Sequence, residues 1–365
     1  SARLSLTMNY LSIPPAFSWP VQFCLFSTAT TYIASIITSN VSQVDRVWTF
    51  LPTIYTAYFA LLPLWPKTQP FYPVPTPYTP AALEIAAEAY NPRALMLLGL
   101  VTTWMCRLSY NTYRRGLFNL KDEDYRWAVL RSQLHPALFQ IVNLTFIAFT
   151  QNVLLLLLGV PAYYAAIQPV QSLDGRDYGV IALTLVVLAL EFTADNQQYS
   201  FQTYKHTPRR YHEHQQWPGS RLDWTKEDVD RGFLTRGSWA WCRHPNFMCE
   251  QSFWWIMNLA SLPHLPTVHL AAMFQSPFSD WLEHLGPLAP LTPAVALSIL
   301  FFSSTVYTEA ITAGKYKGYA AYQARVGMFS PPITVFKQLK LAMTGELPDV
   351  DKIVWGSKYP KLKTE

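Results

Sequence analysis

Charge is scarce in this sequence: 14% of its 365 residues are Asp, Glu, Lys or Arg, against about 25% in ordinary soluble domains. Hydrophobic residues make up 50% and aromatics 15%. The few charges collect in loops and leave long apolar blocks, which excludes a pair of soluble domains, and no nucleic-acid partner is expected. Cysteine is scarce as well. Cys24, Cys106, Cys242 and Cys249 follow no pattern, so no disulfide framework is implied. Cys242, His244 and Cys249 have none of the common zinc spacings, so no metal is expected. There is no internal repeat. The first residues lack a charged segment with a small-residue cleavage site, so the first apolar block is expected to be retained.

Seven apolar blocks can each carry a membrane helix, which needs about 20 residues. They are 17–38, 48–65, 95–113, 137–163, 178–195, 247–262 and 289–310. The expected fold is all-α, a polytopic integral membrane bundle of about seven transmembrane helices. Its parts are an N-terminal segment with the first helix (1–47), helices two to five (48–196), a basic loop (197–246), helices six and seven (247–310) and a tail (311–365). With the N-terminus outside the cytosol, the cytosolic loops hold 23 Lys and Arg residues and the opposite side holds four. The linker 63–80 is too Pro-dense for a helix or central strand and reads as an extra-cytosolic loop. Asn40 and Asn143 open glycosylation-type triplets, but one falls on the cytosolic side and the other inside a helix, so both are expected to be unmodified. Lys361 and Lys363, fifth and third from the end, resemble the dilysine retrieval signals of endoplasmic reticulum membrane proteins. The expected location is therefore that membrane, with a lumenal N-terminus and a cytosolic C-terminus.

The stretch 231–258, RGFLTRGSWAWCRHPNFMCEQSFWWIMN, organises the rest. Pro245 suits the first position of a helix, which puts Asn246, Glu250 and Trp254 on one face. The free N–H groups of its first turn, with Arg243 and Arg236 beside them, suit an anionic group. A carboxylate one turn inside an apolar helix needs a partner or a ligand, so Glu250 is a candidate. Three more clusters place polar groups where a membrane helix does not need them. Glu191 and Asp195, four apart, need donors: ribose hydroxyls, an adenine amine, or Arg209 and Arg210. Arg107, Tyr110 and Asn111 either line a cavity or are a snorkelling Arg with interfacial neighbours. Asp45 and Arg46, adjacent at a helix start, are poorly placed to pair with each other.

Together these motifs resemble the membrane-embedded steroid 5-alpha-reductase and sterol reductase superfamily. RGSWAWCRHPNFMCEQSFWW is similar to its RHPNYxGE signature. DRVW, WMCRLSYNTYRRG with KDEDYRW, the Glu191–Asp195–Gln197 spacing and YAAYQARVGMFSP look like its DUF1295 branch, in order. The resemblance implies a seven-helix bundle holding NADPH in a pocket open to the cytosol. It assigns Glu191 and Asp195 to the adenosine half, Arg236, Arg243 and His244 to the phosphates, and Asn246, Glu250 and Trp254 to the nicotinamide end. Lys315, Tyr319 and Tyr322 close over the cofactor from the tail. Trp104 aligns with the substrate-polarising Tyr of the steroid reductases, and Arg107 lies beside it, so both are assigned to substrate. The candidates for the acid are Asp45, Tyr110 and Tyr113. Cys249 stands where the signature has Gly, and Phe247 where it has Tyr.

The implied reaction reduces a carbon–carbon double bond in a lipophilic steroid, sterol or enone lipid. NADPH supplies hydride to the β-carbon while an acid meets the carbonyl oxygen. The expected partners are that small molecule and membrane lipids. Two other readings stay open. One is an S-adenosylmethionine-dependent methyltransferase of isoprenylcysteine or phospholipid type, and the other a non-catalytic lipid-binding relative.

Overall fold

A computed structural model describes residues 13–70, 74–207, 216–267 and 270–356. Arg209, Arg210, Lys361 and Lys363 lie outside them. Among the described residues all regular elements are helical and none is a strand, so the all-α expectation holds.

Four helical runs are long and apolar enough to cross a membrane: Pro15–Thr38, Pro136–Ala166, Gly175–His206 and Glu283–Lys315. They fall on the first, fourth, fifth and seventh expected blocks. The other three fall short for separate physical reasons. In block 48–65 the helix covers only the ten residues Leu51–Ala60, a rise of about 15 Å. Pro63 follows in the tight turn Leu62–Leu64 that ends it. Block 95–113 becomes the 23-residue helix Pro92–Arg114, but Arg93, Arg107, Asn111 and Arg114 make it polar. The sixth block yields the 16 residues Pro245–Ala260, about 24 Å against a hydrocarbon core of about 30 Å.

The chain divides into two compact units, Ser1–Ala182 with Trp254–Ala296, and Leu183–Phe253 with Leu297–Glu365. In the first, α1 (Ser18–Thr38), α2 (Leu51–Ala60) and α3 (Pro92–Arg114) join a long helical run. That run is α4 (Pro136–Val142), a π-wound middle (Asn143–Thr150), α5 (Gln151–Leu157) and α6 (Val160–Ala166). Helix α2 packs on α3 and α6, and α1 packs on the π-wound segment and α5. Polar pairs tie that second contact, as hydrogen bonds do between helices in lipid. Asn143 Nδ2 donates to Ser35 Oγ at 2.9 Å and Asn152 Nδ2 to Thr31 Oγ1 at 3.2 Å. The Pro-rich linker is pinned to the helices through its carbonyls: Trp19 Nε1 donates to Pro75 O and Tyr58 Oη to Tyr78 O.

The second unit contains most of α7 (Gly175–His206), then α8 (Lys226–Arg231), the start of α9 (Pro245–Ala260) and the end of α10 (Thr292–Lys315). It closes with α11 (Tyr319–Arg325), α12 (Pro331–Thr344) and α13 (Leu347–Trp355). As far as Trp355 the tail, read from sequence as tyrosines followed by a polar segment, is thus helical and docked. Phe233, Tyr319, Tyr322, Val326, Val354 and Trp355 form one buried cluster. Trp355 Nε1 donates to Thr235 O at 3.0 Å, and Thr235 Oγ1 donates to Val354 O at 3.2 Å. Arg325 pairs with Asp351 at 2.8 Å and lies 4.7 Å over the Trp355 ring.

Candidate functional site

The start of α9 is stitched in place by the segment after α11. Arg243 N donates to Gly327 O at 2.8 Å and His244 N to Met328 O at 3.1 Å. Pro245 then opens the helix, where its missing N–H leaves nothing unsatisfied.

The side chains before Pro245 converge on Glu309 of α10. Arg243 meets it as a fork, Nε to Oε1 at 2.6 Å and Nη2 to Oε2 at 2.9 Å. His244 Nε2 lies 2.8 Å from Oε1, and Gln323 Nε2 donates to Oε2 at 2.9 Å. Arg243 Nη1 donates to the carbonyls of Gln323 and Val326. Lys337 Nζ also donates to the Gln323 carbonyl, at 2.6 Å. Arg243 and Glu309 are both buried, so the pair holds only because each charge has a close, oriented partner. The sequence expectation set Arg243 and His244 on cofactor phosphates; the structure sets both on Glu309.

The residues after Pro245 meet a different surface. Glu191 and Asp195 are buried one turn apart on α7, and Glu250 is buried one turn into α9. Asn246 Nδ2 donates to Asp195 Oδ1 at 3.2 Å. The Asn246 Oδ1 is buried and meets no hydrogen-bond donor among the described residues. Phe247, in place of the signature Tyr, stacks on His244 and meets Phe301 edge-on at 4.8 Å. That site is apolar, which suits a ring without a hydroxyl.

Two glycines shape the approach. Gly237 has φ +64°, and a Cβ there would sit 2.6 Å from Gln197 Nε2. The space is taken because Gln197 Oε1 accepts from Ser238 N at 3.0 Å and from Ser238 Oγ at 2.6 Å. Gly232 has φ +90°, and a Cβ would lie 2.1 Å from Tyr316 Cε1. Lys205 Nζ donates to Tyr316 Oη at 2.8 Å and to Gly232 O at 2.6 Å. Burial alone would raise the Tyr316 phenol, but the bond from Lys205 and the charges of Lys205 and Lys315 hold it below its ordinary value. Beside it opens a cleft of ≈ 580 Å³, lined by Arg231, Lys315, Tyr316, Lys317 and Lys352, with Glu227 and Asp230.

The other sequence-assigned residues fall as follows. Arg236 forms an ion pair with Asp228 at 3.2 Å, and its Nη1 donates to the Asp223 carbonyl at 3.1 Å. Tyr319 and Tyr322 belong to the buried tail cluster, and Tyr322 Oη donates to Trp239 O at 2.6 Å. In the first unit, Trp104 and Trp254 are fully buried and meet edge-to-face at 5.0 Å. Arg107 is half-buried one turn further along α3.

The three acid candidates have unlike settings. Asp45 accepts from Trp127 Nε1 at 3.1 Å, and burial pushes its carboxyl above the usual range. Tyr110 and Tyr113 are 51% and 72% exposed. Around Asp45, the bonds from Arg46 to the Asn119 and Asp122 carbonyls tie two segments together, and the pairs Arg131–Glu123 (2.7 Å) and Arg126–Asp124 (2.9 Å) brace the second one internally.

Glu309, Gln323 and Lys337 were not singled out from sequence. Glu309 carried a readable signal, being an acid inside the seventh apolar block. Gln323 and Lys337 carried none, because their roles depend on how the tail folds back. Among the described residues no three His, Cys, Asp or Glu side chains are grouped to hold a metal. Burial pushes the Cys242 thiol up to about 12, which keeps it protonated.

Comparison with known proteins places this site in a family. Residues 31–326 match the family described as protein of unknown function (DUF1295). The chain is also 28% identical over 298 residues to an uncharacterized protein of Schizosaccharomyces pombe, covering 81% of this chain and 74% of that one. No solved structure gives a significant match. The matched region includes Asp195, the Arg243–Asn246 turn, Glu309 and Gln323, and the chain belongs to the DUF1295 family.

Proposed function

We propose that the protein is a membrane-embedded, NADPH-dependent reductase of a carbon–carbon double bond in a lipophilic steroid, sterol or enone-lipid substrate. The observation that carries this reading is the buried Asp195–Asn246 pair with its open amide oxygen, set among the buried acids Glu191 and Glu250. A buried acceptor is costly without a donor, and the carboxamide, ribose and adenine groups of a dinucleotide are rich in donors. The signature around this pair resembles that of the sterol reductases.

When bound, NADPH supplies the hydride. Asp195 and Glu191 accept from its hydroxyl and amine groups, and Asn246 Oδ1 and Glu250 serve the carboxamide end. Arg243 and His244 are buried on Glu309, so the cationic charge toward phosphate comes from the more open Arg236, which also pairs with Asp228, and from Lys315 at the basic cleft. Tyr319 and Tyr322 hold the tail behind these groups. Trp104 and Trp254 supply an apolar wall for the lipophilic substrate, with Arg107 next to it, and exclude water. Asp45, whose carboxyl is pushed above the usual range chiefly by burial, suits the acid role better than the exposed Tyr110 and Tyr113. The three shorter helices complete a seven-helix, steroid 5-alpha-reductase-like bundle. Its N-terminus is lumenal and its C-terminus cytosolic in the endoplasmic reticulum membrane.

The test is turnover in nanodiscs: NADPH consumption on adding enone steroids, sterols or long-chain enone lipids, with the saturated product identified by mass spectrometry. Saturated product formed with NADPH supports the proposal. Methyl transfer from S-adenosylmethionine to a lipid or prenylated peptide, with no NADPH consumption, overturns it.

A further inference from the structure

The family match ends at residue 326, yet the chain continues into α12, whose two faces differ sharply. The inner face buries Thr334 and Leu341 and is pinned by polar groups. Thr334 Oγ1 donates to Trp241 O at 2.6 Å and accepts from Gly327 N at 2.8 Å, and Lys337 Nζ reaches the Gln323 carbonyl. The outer face is apolar and open: Ile333, Val335, Phe336, Leu339 and Met343 are all exposed, Met343 by 89%. At 100° per residue these five occupy one contiguous arc, interrupted only by Lys340.

We propose that α12 lies in the membrane–water interface with this face immersed in lipid, and that its basic surroundings select anionic headgroups. Three observations favour lipid as the occupant. The same unit repeats the pattern on a membrane-spanning candidate, where Ile299, Phe302 and Val306 form an exposed apolar stripe on α10. Trp241, whose carbonyl Thr334 holds, is itself 61% exposed, the placing of an interfacial aromatic anchor. Over residues 315–356 the sequence carries six Lys and Arg residues against three Asp and Glu, a balance that complements an anionic leaflet. At 14 residues the helix rises about 21 Å, too short to span and suited to lying flat. This inference does not rest on the reductase reading. Its consequence is that lipid contact steadies the turn at Trp241–His244 and the carbonyls of Gln323 and Val326, which Arg243 uses.

The test uses the full chain in nanodiscs, with exposed Cys106 replaced by Ser and spin labels introduced one at a time through Phe336→Cys, Met343→Cys and, as control, Asp349→Cys. Phosphatidylcholine discs are compared with discs that also contain phosphatidylserine. The expected result is several-fold higher accessibility to oxygen than to a water-soluble nickel chelate at 336 and 343, and the reverse at 349. Phosphatidylserine should deepen the first two labels, and Lys340→Gln should weaken that effect. Labels at 336 and 343 as open to the nickel chelate as the one at 349 would overturn the proposal. So would shielding from both reagents with two chains per disc, which would make the face a contact between copies. No response to phosphatidylserine would overturn the anionic preference.

Discussion

Two buried polar groups flank Pro245, and they differ in how completely their hydrogen bonds close. Before it, Glu309 is met by Arg243, His244 and Gln323, while Arg243 is spent on Glu309 and two carbonyls. After it, Asn246 donates to Asp195 but keeps a buried oxygen that nothing in the described chain serves. A closed network fixes a backbone, whereas an open acceptor asks for a ligand. The signature Arg-His-Pro-Asn thus divides at its proline: the first two residues close on Glu309, and the proposed function gives the fourth to ligand recognition.

Glu309→Ala would break this contrast most severely. It leaves the Arg243 charge buried without its partner, a loss of about 3–5 kcal/mol, read as a large drop in apparent melting temperature or loss of monodisperse protein in detergent. A melting temperature equal to wild type would refute the architectural role. Gly237→Ala comes next. A side chain in left-handed backbone against Gln197 should cost about 1–3 kcal/mol, measured the same way. Asn246→Ala sharpens the comparison from the other side. It removes one hydrogen-bond acceptor, worth about 1 kcal/mol, so NADPH should bind several-fold more weakly. The variant also loses the bond to buried Asp195, so the melting temperature of the ligand-free protein should fall, but by less than in Glu309→Ala.

The smallest effect concerns Asp45. Its carboxyl is raised in the fold, chiefly by burial, so the stability it contributes is present at acid pH and fades as pH rises through its folded value. The gain in melting temperature of Asp45→Asn over wild type should therefore grow as pH is raised from the carboxylate range toward neutrality. Glu123 and Asp124, held low by Arg131 and Arg126 despite burial, act in both proteins and cancel in the difference. A gain that shrinks with rising pH would contradict the assignment.

Much of this was legible in sequence for a physical reason. Acids inside apolar blocks are rare enough to announce themselves, and Glu191, Asp195 and Glu250 are all buried as that logic requires. Pro245 marked the helix start correctly. Periodicity was weaker on length: the apolar run 48–65 does not reveal that its helix is confined to Leu51–Ala60 by turns at either end. Least legible was the partner of Arg243. Glu309 is 66 residues away, and the carbonyls of Gln323 and Val326 become acceptors only because α11 and the segment after it pack against the start of α9. Composition marked the tail as polar, but the docking of Trp355 and the exposure of the apolar face of α12 are tertiary facts.

The most direct measurement is nucleotide binding by the purified, ligand-free protein in nanodiscs, comparing NADPH, NADH and S-adenosylmethionine for wild type and Asn246→Ala. The account predicts that NADPH binds and stabilises the wild type, and that the variant binds it several-fold more weakly, with a ligand-free melting temperature lowered less than by Glu309→Ala. Stabilisation by S-adenosylmethionine alone, or NADPH binding indifferent to Asn246, would contradict it.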